Sequence, residues 1–174
     1  MNSILNCASY IVSKYETIFK DTIDEMKLQK LLYFAQRENI AIYGKPLFND
    51  EFQGWRLGPV SPLVRKNLYG IKNYDITNLS DQEKNILNSV ILQYGPIEST
   101  ELSDLSHNEL SWKNSRKGLG QNERDNITLK LEDIIEDAKK TKDVFSECIT
   151  PELKEIIDNA EKEIKEGKYS KFEF

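Results

Sequence analysis

The sequence predicts a mainly α-helical, compact multi-helix domain with a small β-hairpin or short strands near residues 48–57. Apolar residues recur at spacings of three and four in several segments, as one face of an amphipathic helix requires. Helix start and stop signals bound these segments, for example Ser80 followed by Glu83, and later Gly95. Alternating, strand-like patterning is confined to a short aromatic stretch that includes Phe52 and Trp55.

The first two helices are predicted from their apolar faces and their ends. The first runs from about Ile4 to Tyr15. Thr22 and Glu25 have the spacing of a capping box, so a long helix is expected to follow and to end at Gly44. The side chains expected to face inward on this long helix are Met26, Leu28, Leu31, Leu32, Phe34, Ala35 and Ala41.

The middle of the chain predicts a strand region followed by a short helix. Gly58 and Pro59 are expected to break the strand region. Ser61 is a good N-cap and Pro62 suits the first helical position. The residues of this helix that are expected to face inward are Leu63, Val64 and Leu68.

The second half of the chain predicts five more helices. The capping box at Ser80 opens a helix, a short helix begins near Ser99, and Ser106 or Asn108 caps another. Residues 117–125 are expected to form a loop before a helix over 129–144. We predict a first domain over residues 1–140, then an acidic helical extension and tail over 141–174, with a helix at about 150–166.

Composition limits the function classes. The net charge is −5, which argues against a general nucleic-acid binder because such proteins need a basic face for phosphates. Apolar runs are too short to cross a membrane, and the N-terminus does not resemble a signal peptide, so a cytoplasmic protein is expected. Cys7 and Cys148 are far apart and are expected to be free thiols.

The sequence predicts neither catalysis nor a bound cofactor. His107 is the single histidine, and no nucleophile motif or metal-ligand spacing accompanies it. A structural histidine or one at a partner surface is therefore the preferred interpretation. We expect no enzyme activity, no metal and no cofactor.

Two surfaces are candidates for partner binding. The first is centred on Trp55, Arg56 and His107, and nearby cations and aromatic residues could extend it toward RNA or an acidic partner. The alternative is that Trp55 lies in the core and the cations are solvated. The residues that would extend this patch are Arg65, Lys66, Tyr69 and Lys72.

The second candidate surface is the C-terminal arm, residues 150–174. Residues 129–174 hold nine lysines and thirteen acidic residues, so most of the net negative charge lies there. A narrow apolar stripe on the helix and aromatic residues in the tail would suit docking into a partner groove, while packing on its own domain is the alternative. The candidate contact residues of the arm are Leu153, Ile157, Tyr169 and Phe172.

Three motifs in order resemble the SocA-like Panacea domain family. They are the helix KLQKLLYFA from residue 27, the GKPLF and WRLGPV segments with Pro62, and LSH followed by Trp112 and Arg116. They span about residues 27–116, with Ser106 where threonine is commoner in the family. The residues that carry the resemblance, which are expected to be mainly architectural, are Lys27, Gln29, Lys30, Tyr33, Phe34, Gly44, Pro46, Gly58, Pro59, Pro62, Trp112 and Arg116.

The resemblance implies a function as well as a fold. It implies the antitoxin of a toxin–antitoxin pair, which neutralises a cognate protein toxin by direct binding. The alternative is a phage-associated or proteolytic-adaptor module that binds a host protease or another host protein. The sequence leaves the identity of the partner and the oligomeric state open.

Overall fold

The computed structural model describes residues 2–120, 123 and 127–148. Contacts divide the chain into two units, Met1–Lys139 and Lys140–Phe174. The described residues are mainly helical with one two-stranded antiparallel hairpin, which confirms the predicted fold class. The elements are α1 (Ile4–Phe19), α2 (Glu25–Tyr43), β1 (Gln53–Trp55), β2 (Gly58–Val60), α3 (Pro62–Lys66), a 3₁₀ helix (Leu68–Asn73), α4 (Asp81–Tyr94), α5 (Ser99–His107), α6 (Leu110–Ser115) and α7 (Leu131–Cys148).

Helix α2 is the centre of the first unit. It contacts α1, α4, α5 and strand β2, and it is buried on almost every side from its first turn to Ile40. A helix so placed must bury polar as well as apolar side chains, and each buried polar group needs a hydrogen-bond partner. The buried polar and charged residues of α2 are Lys27, Gln29, Lys30, Gln36, Arg37, Glu38 and Asn39.

Helices α1 and α4 pack on each other and on α2 through apolar faces that match the predicted periodicity. The capping box that opens α4 is present, with Ser80 and Glu83 bonding each other's backbone amides. The capping box predicted at Thr22 is wrong. Asp24 is the N-cap of α2 and accepts the Lys27 amide at 2.9 Å, because the helix begins two residues later than that box requires.

The hairpin lies slightly further along the chain than predicted. Strand β1 pairs with β2 in the register Gln53–Val60, Gly54–Pro59 and Trp55–Gly58, which leaves Arg56 and Leu57 as a two-residue loop. The expected break at Gly58 and Pro59 is therefore part of a strand. Proline is tolerated there because β2 is an edge strand and needs no donor at that position. On the other side, the amide of Gly54 donates to Ile127 O at 2.9 Å.

Two predicted local features differ from the structure. Leu63 was expected to face inward but is 38% exposed. The short helix α3 buries one side chain, Val64. Neither Ser106 nor Asn108 caps α6. The amides of Leu110 and Ser111 at its start donate instead to the carboxylate of Asp137 on α7, at 2.7 and 2.9 Å. A distant helix thus supplies the cap, which local sequence cannot reveal.

Among the helices that the structure describes, none is long and apolar enough to cross a lipid bilayer. The predicted helix at 150–166 and the C-terminal tail lie outside the described residues, as does most of the predicted extension over 141–174.

Candidate functional site

The hairpin loop presents two exposed side chains, and two helices hold its backbone in place. Arg56 and Leu57 are exposed, and Leu57 has 44% of its surface accessible. The indole nitrogen of Trp112 on α6 donates to Trp55 O at 2.8 Å. The hydroxyl of Ser103 on α5 donates to Leu57 O at 3.0 Å. The loop backbone is therefore fixed while the Arg56 and Leu57 side chains face solvent.

His107 belongs to the same surface. Its ring stacks on Trp112, with centroids 4.0 Å apart and planes at 23°. Burial lowers the pKa of His107, although nearby Asp104 and a backbone hydrogen bond to Arg56 act in the opposite direction. The structure thus brings Trp55, Arg56 and His107 together on one surface, which we call the tip surface. Their role in partner binding stays a prediction.

The pairing of His107 with a serine does not resemble an activated nucleophile. The His107 Nε2 lies 3.5 Å from Ser103 Oγ, which is long for such a hydrogen bond. The single hydroxyl proton of Ser103 is donated to the Leu57 carbonyl, so it is not directed at the imidazole. This arrangement is suited to holding the hairpin loop.

Two signature residues of α2 attach the hairpin to the central helix. The Gln29 side chain accepts the Ser61 amide at 2.8 Å and donates to the Ser61 carbonyl at 3.3 Å. The Lys30 ammonium donates to the Pro59 carbonyl at 3.0 Å. Together these side chains bond backbone groups of Pro59 and Ser61 that no further strand pairs with.

Other motif residues also make structural contacts. Lys27 donates to Tyr15 Oη at 3.2 Å and to the Gly95 carbonyl at 3.1 Å. Tyr33 bonds Ser111 Oγ at 2.9 Å, which joins α2 to α6. Arg116 donates to three carbonyls, which are Gly54 O, Gly120 O and Glu123 O.

A cavity of about 720 Å³ opens between the first turns of α2 and the hairpin. Lys30 lines it although its residue is 1% exposed, and Arg65 of α3 borders it, with its guanidinium carbon 5.0 Å from the Trp55 ring centroid. Arg65 also pairs with Glu25 at 2.7 Å. Trp55 is half-buried between cavity and loop, so it lies at the edge of the core and not inside it.

The predicted extension of the patch over other cations is only partly present. Lys72 pairs with Glu16 at 2.7 Å, and Arg65 is neutralised by Glu25. Tyr69 is fully exposed. The arm candidates Leu153, Ile157, Tyr169 and Phe172 lie outside the described residues. The sequence analysis did not select Leu57. A two-residue hairpin turn before Gly58 would have predicted that Leu57 lies in the exposed loop.

Burial lowers the pKa of Lys30 to about 7, against the opposing attraction of Asp24 and Glu25. The unfolded lysine keeps its proton to higher pH, so the unfolded state binds more protons above pH 7 and stability rises with pH there. We expect the free energy of unfolding to rise by about 2 kcal/mol between about pH 6.5 and 8.5 from this group.

Urea denaturation of the wild type and of Lys30→Met at both pH values measures this rise. Groups that do not interact with Lys30 contribute equally to both proteins, so the difference between the two slopes reports the lysine and its charged neighbours. Equal slopes for the two proteins would contradict a neutral Lys30 amine at alkaline pH.

The sequence that builds this region matches a known protein family. Residues 28–113, from α2 to α6, match the family model described as antitoxin SocA-like, Panacea domain. These residues belong to the SocA-like Panacea family. The predicted resemblance is thereby confirmed over residues 28–113, which include the hairpin, His107 and most of the residues that line the cavity.

A curated relative supports the same assignment. The chain is similar to antitoxin SocA of Caulobacter vibrioides (strain NA1000 / CB15N), with 48% identity over 42 residues. This match covers 24% of the chain and 22% of that antitoxin, so the chain aligns with about a fifth of the relative's length. No solved structure matches the chain.

Proposed function

We propose that this chain is the antitoxin of a toxin–antitoxin pair and that it neutralises a cognate protein toxin in the cytoplasm by direct binding, without catalysis. The observation that carries the proposal is the match of residues 28–113 to the antitoxin SocA-like Panacea family. The similarity to antitoxin SocA supports the same role. The alternative is an adaptor or phage-associated module that binds a host protein.

The tip surface is the contact that the geometry favours. An exposed arginine on a rigid loop beside a half-buried tryptophan combines two residue types that are enriched in interface hot spots, and the exposed Leu57 adds apolar area beside them. The loop backbone is already fixed by Ser103 and Trp112, so binding costs little ordering entropy. The alternative contact is the C-terminal arm, through Leu153, Ile157 and Phe172.

The first experiment induces each neighbouring gene in a heterologous bacterium, with and without this chain, and co-purifies the pair. Growth arrest by a neighbour that this chain relieves, together with a stable complex, would support the antitoxin. Absence of toxicity from either neighbour would favour the adaptor or phage-module alternative.

Single substitutions in the tip surface test the contact. Leu57→Asp and Arg56→Glu are each expected to weaken toxin binding by about 30-fold, because each places an unfavourable charge in a hot-spot position. Binding would be measured by calorimetry or surface plasmon resonance and neutralisation by growth rescue. Both side chains are exposed, so the melting temperature is expected to stay unchanged.

Leu92→Asp is the matched control, because Leu92 is an exposed leucine on α4, outside the tip surface, with 62% of its surface accessible. It is expected to bind as the wild type does. Wild-type binding by both tip variants would exclude the tip surface. Loss of binding in Leu153→Asp, Ile157→Asp or Phe172→Asp would then assign the contact to the arm.

The stoichiometry of neutralisation distinguishes binding from catalysis. A binder inactivates about one equivalent of toxin and releases active toxin when the complex is denatured and the toxin is refolded. An enzyme would inactivate many equivalents and leave the toxin modified. Titration of toxin activity, followed by mass spectrometry of the recovered toxin, separates these outcomes.

A further inference from the structure

The cavity beside the hairpin has the size and lining of a ligand site. Its volume of about 720 Å³ lies within the range of small-molecule pockets. Its apolar lining comes from Met26, Trp55, Leu57 and Val60. Its charged lining includes two acidic and three basic residues, which are Asp24, Glu25, Lys30, Arg56 and Arg65. It opens next to the exposed Leu57, so a protein bound to the tip surface would cover its mouth.

The acidic groups of the cavity are already engaged. Glu25 pairs with Arg65 at 2.7 Å. Asp24 caps α2 through the Lys27 amide and also accepts the Ser99 hydroxyl. These carboxylates therefore have limited capacity to neutralise another cation.

Two cations of the cavity have donors to spare. The Lys30 ammonium has three N–H donors, and the structure gives it one acceptor, the Pro59 carbonyl. Among the described residues, no hydrogen bond or ion pair engages the Arg56 guanidinium. A buried ammonium with unused donors and an exposed guanidinium at the same cavity favour an anionic group between them.

We propose that this cavity receives a carboxylate of a protein partner, an Asp or Glu side chain next to an apolar residue, which Lys30 and Arg56 bind. The identification of this partner as the toxin rests on the proposed antitoxin function. A guanidinium matches the planar carboxylate, and the apolar lining of Met26 and Val60 suits the neighbouring side chain.

The charged groups around Lys30 affect its pKa and therefore how many protons are taken up when a carboxylate binds. Asp24 and Glu25 face it from α2, Arg56 from the hairpin, Arg65 from α3, and His107 from α5. Since the pKa of Lys30 is about 7, an added carboxylate raises it and draws a proton onto the amine above that pH. Carboxylate binding at pH 8 is therefore expected to take up a proton, and binding at pH 6 to take up less.

The test uses 4-methylpentanoate as the probe and 4-methylpentanamide as its uncharged match, titrated into ¹⁵N-labelled protein and followed by NMR. We expect saturable shifts at Met26, Val60 and the Trp55 indole for the carboxylate, and at least tenfold weaker binding of the amide. Calorimetry in buffers of different ionisation enthalpy measures the proton uptake. Equal binding of acid and amide, or no binding of either, would overturn the proposal.

Lys30→Met and Lys27→Met form a matched pair three residues apart on α2. Lys30→Met is expected to lose the preference for the carboxylate. Lys27→Met should keep it, because Lys27 bonds Tyr15 and Gly95 and does not line the cavity. Circular dichroism melts establish folding of both variants. If either fails to fold, the acid–amide comparison and the proton uptake of the wild type still decide.

Two further arms identify the occupant. Inorganic phosphate that binds more tightly than 4-methylpentanoate would overturn the proposal in favour of a phosphorylated ligand. With a toxin in hand, Lys30→Met and Arg56→Gln should each weaken the complex at least tenfold, and Lys27→Met should not. Carboxylate binding without any toxic neighbour would leave the cavity site standing and count against the antitoxin function alone.

Discussion

Gly58→Ala is expected to destabilise the domain by about 3 kcal/mol or more and to detach the hairpin from α2. Gly58 has a φ of +100°, a backbone conformation that residues with a side chain rarely adopt. A methyl group there would lie 2.5 Å from Lys30 Cε and 3.0 Å from Lys30 Nζ, and closer still to Ser106 Oγ. The lysine would have to leave the Pro59 carbonyl to make room. Chemical denaturation measures the loss.

Gly44→Ala provides the control for backbone strain alone. Gly44 is the C-cap of α2 with a φ of +67°, and an added methyl group would meet no atom within 4 Å. Its expected cost is about 1 kcal/mol, the usual cost of alanine in a left-handed position. Similar costs at the two positions would show that the contact between Gly58 and Lys30 is unimportant.

Arg37→Met is expected to cost about 3–5 kcal/mol, because it leaves buried carboxylates without their counter-charge. Arg37 bonds Glu38 at 2.7 Å and Tyr94 Oη at 2.8 Å, and it pairs with Glu109 across to α6. Burial opposes its charge, but Glu109, Tyr94 and Glu38 together raise its pKa. Thermal and urea unfolding measure the change.

The pH dependence of Arg37→Met identifies the cause of its instability. Burial raises the pKa of Glu109, and Arg37 is the main opposing influence. Without Arg37 the pKa of the folded Glu109 rises further above its value in the unfolded state, so the variant should gain more stability than the wild type as pH falls. Arg65→Met, which breaks the exposed pair with Glu25, should cost less than about 1 kcal/mol.

A rescue variant completes this comparison. Replacing Glu38 and Glu109 by glutamine in the Arg37→Met background removes both unpaired charges and should recover part of the loss. A triple variant as unstable as Arg37→Met alone would mean that lost packing, and not the buried charges, causes the instability.

Helix α2 shows both the reach and the limit of sequence reasoning. Its existence and its C-terminal end at Gly44 follow from periodicity and from the glycine stop. The burial of Lys30, Arg37 and Glu38 does not, because a periodic pattern assigns polar residues to solvent by default. Only the packing of other elements around the whole circumference makes these side chains internal.

The hairpin and the helix caps show a second limit. A strand near residues 48–57 was predictable from aromatic residues, but β2 includes Pro59, which normally argues against a strand. It is tolerated because β2 is an edge strand that needs no donor from Pro59, while the outward Pro59 carbonyl accepts from Lys30. The cap of α6 comes from Asp137, and such long-range contacts leave no local signal.

The candidate site was predictable only in part. Trp55, Arg56 and His107 were selected from the motifs, and the fold places them on one surface. The cavity and the spare donors of Lys30 arise from the packing of the hairpin against α2, whereas the sequence suggests only an architectural lysine there.

The carboxylate of Asp137 has a consequence for how the protein is made. It serves two amides of α6 and also accepts from Tyr33 of α2, which lies 104 positions earlier in the chain. On the ribosome, α2 and α6 emerge well before this acceptor does. The polar contacts of the central helix therefore stay incomplete until α7 has been translated, so the domain is completed only after α7 emerges.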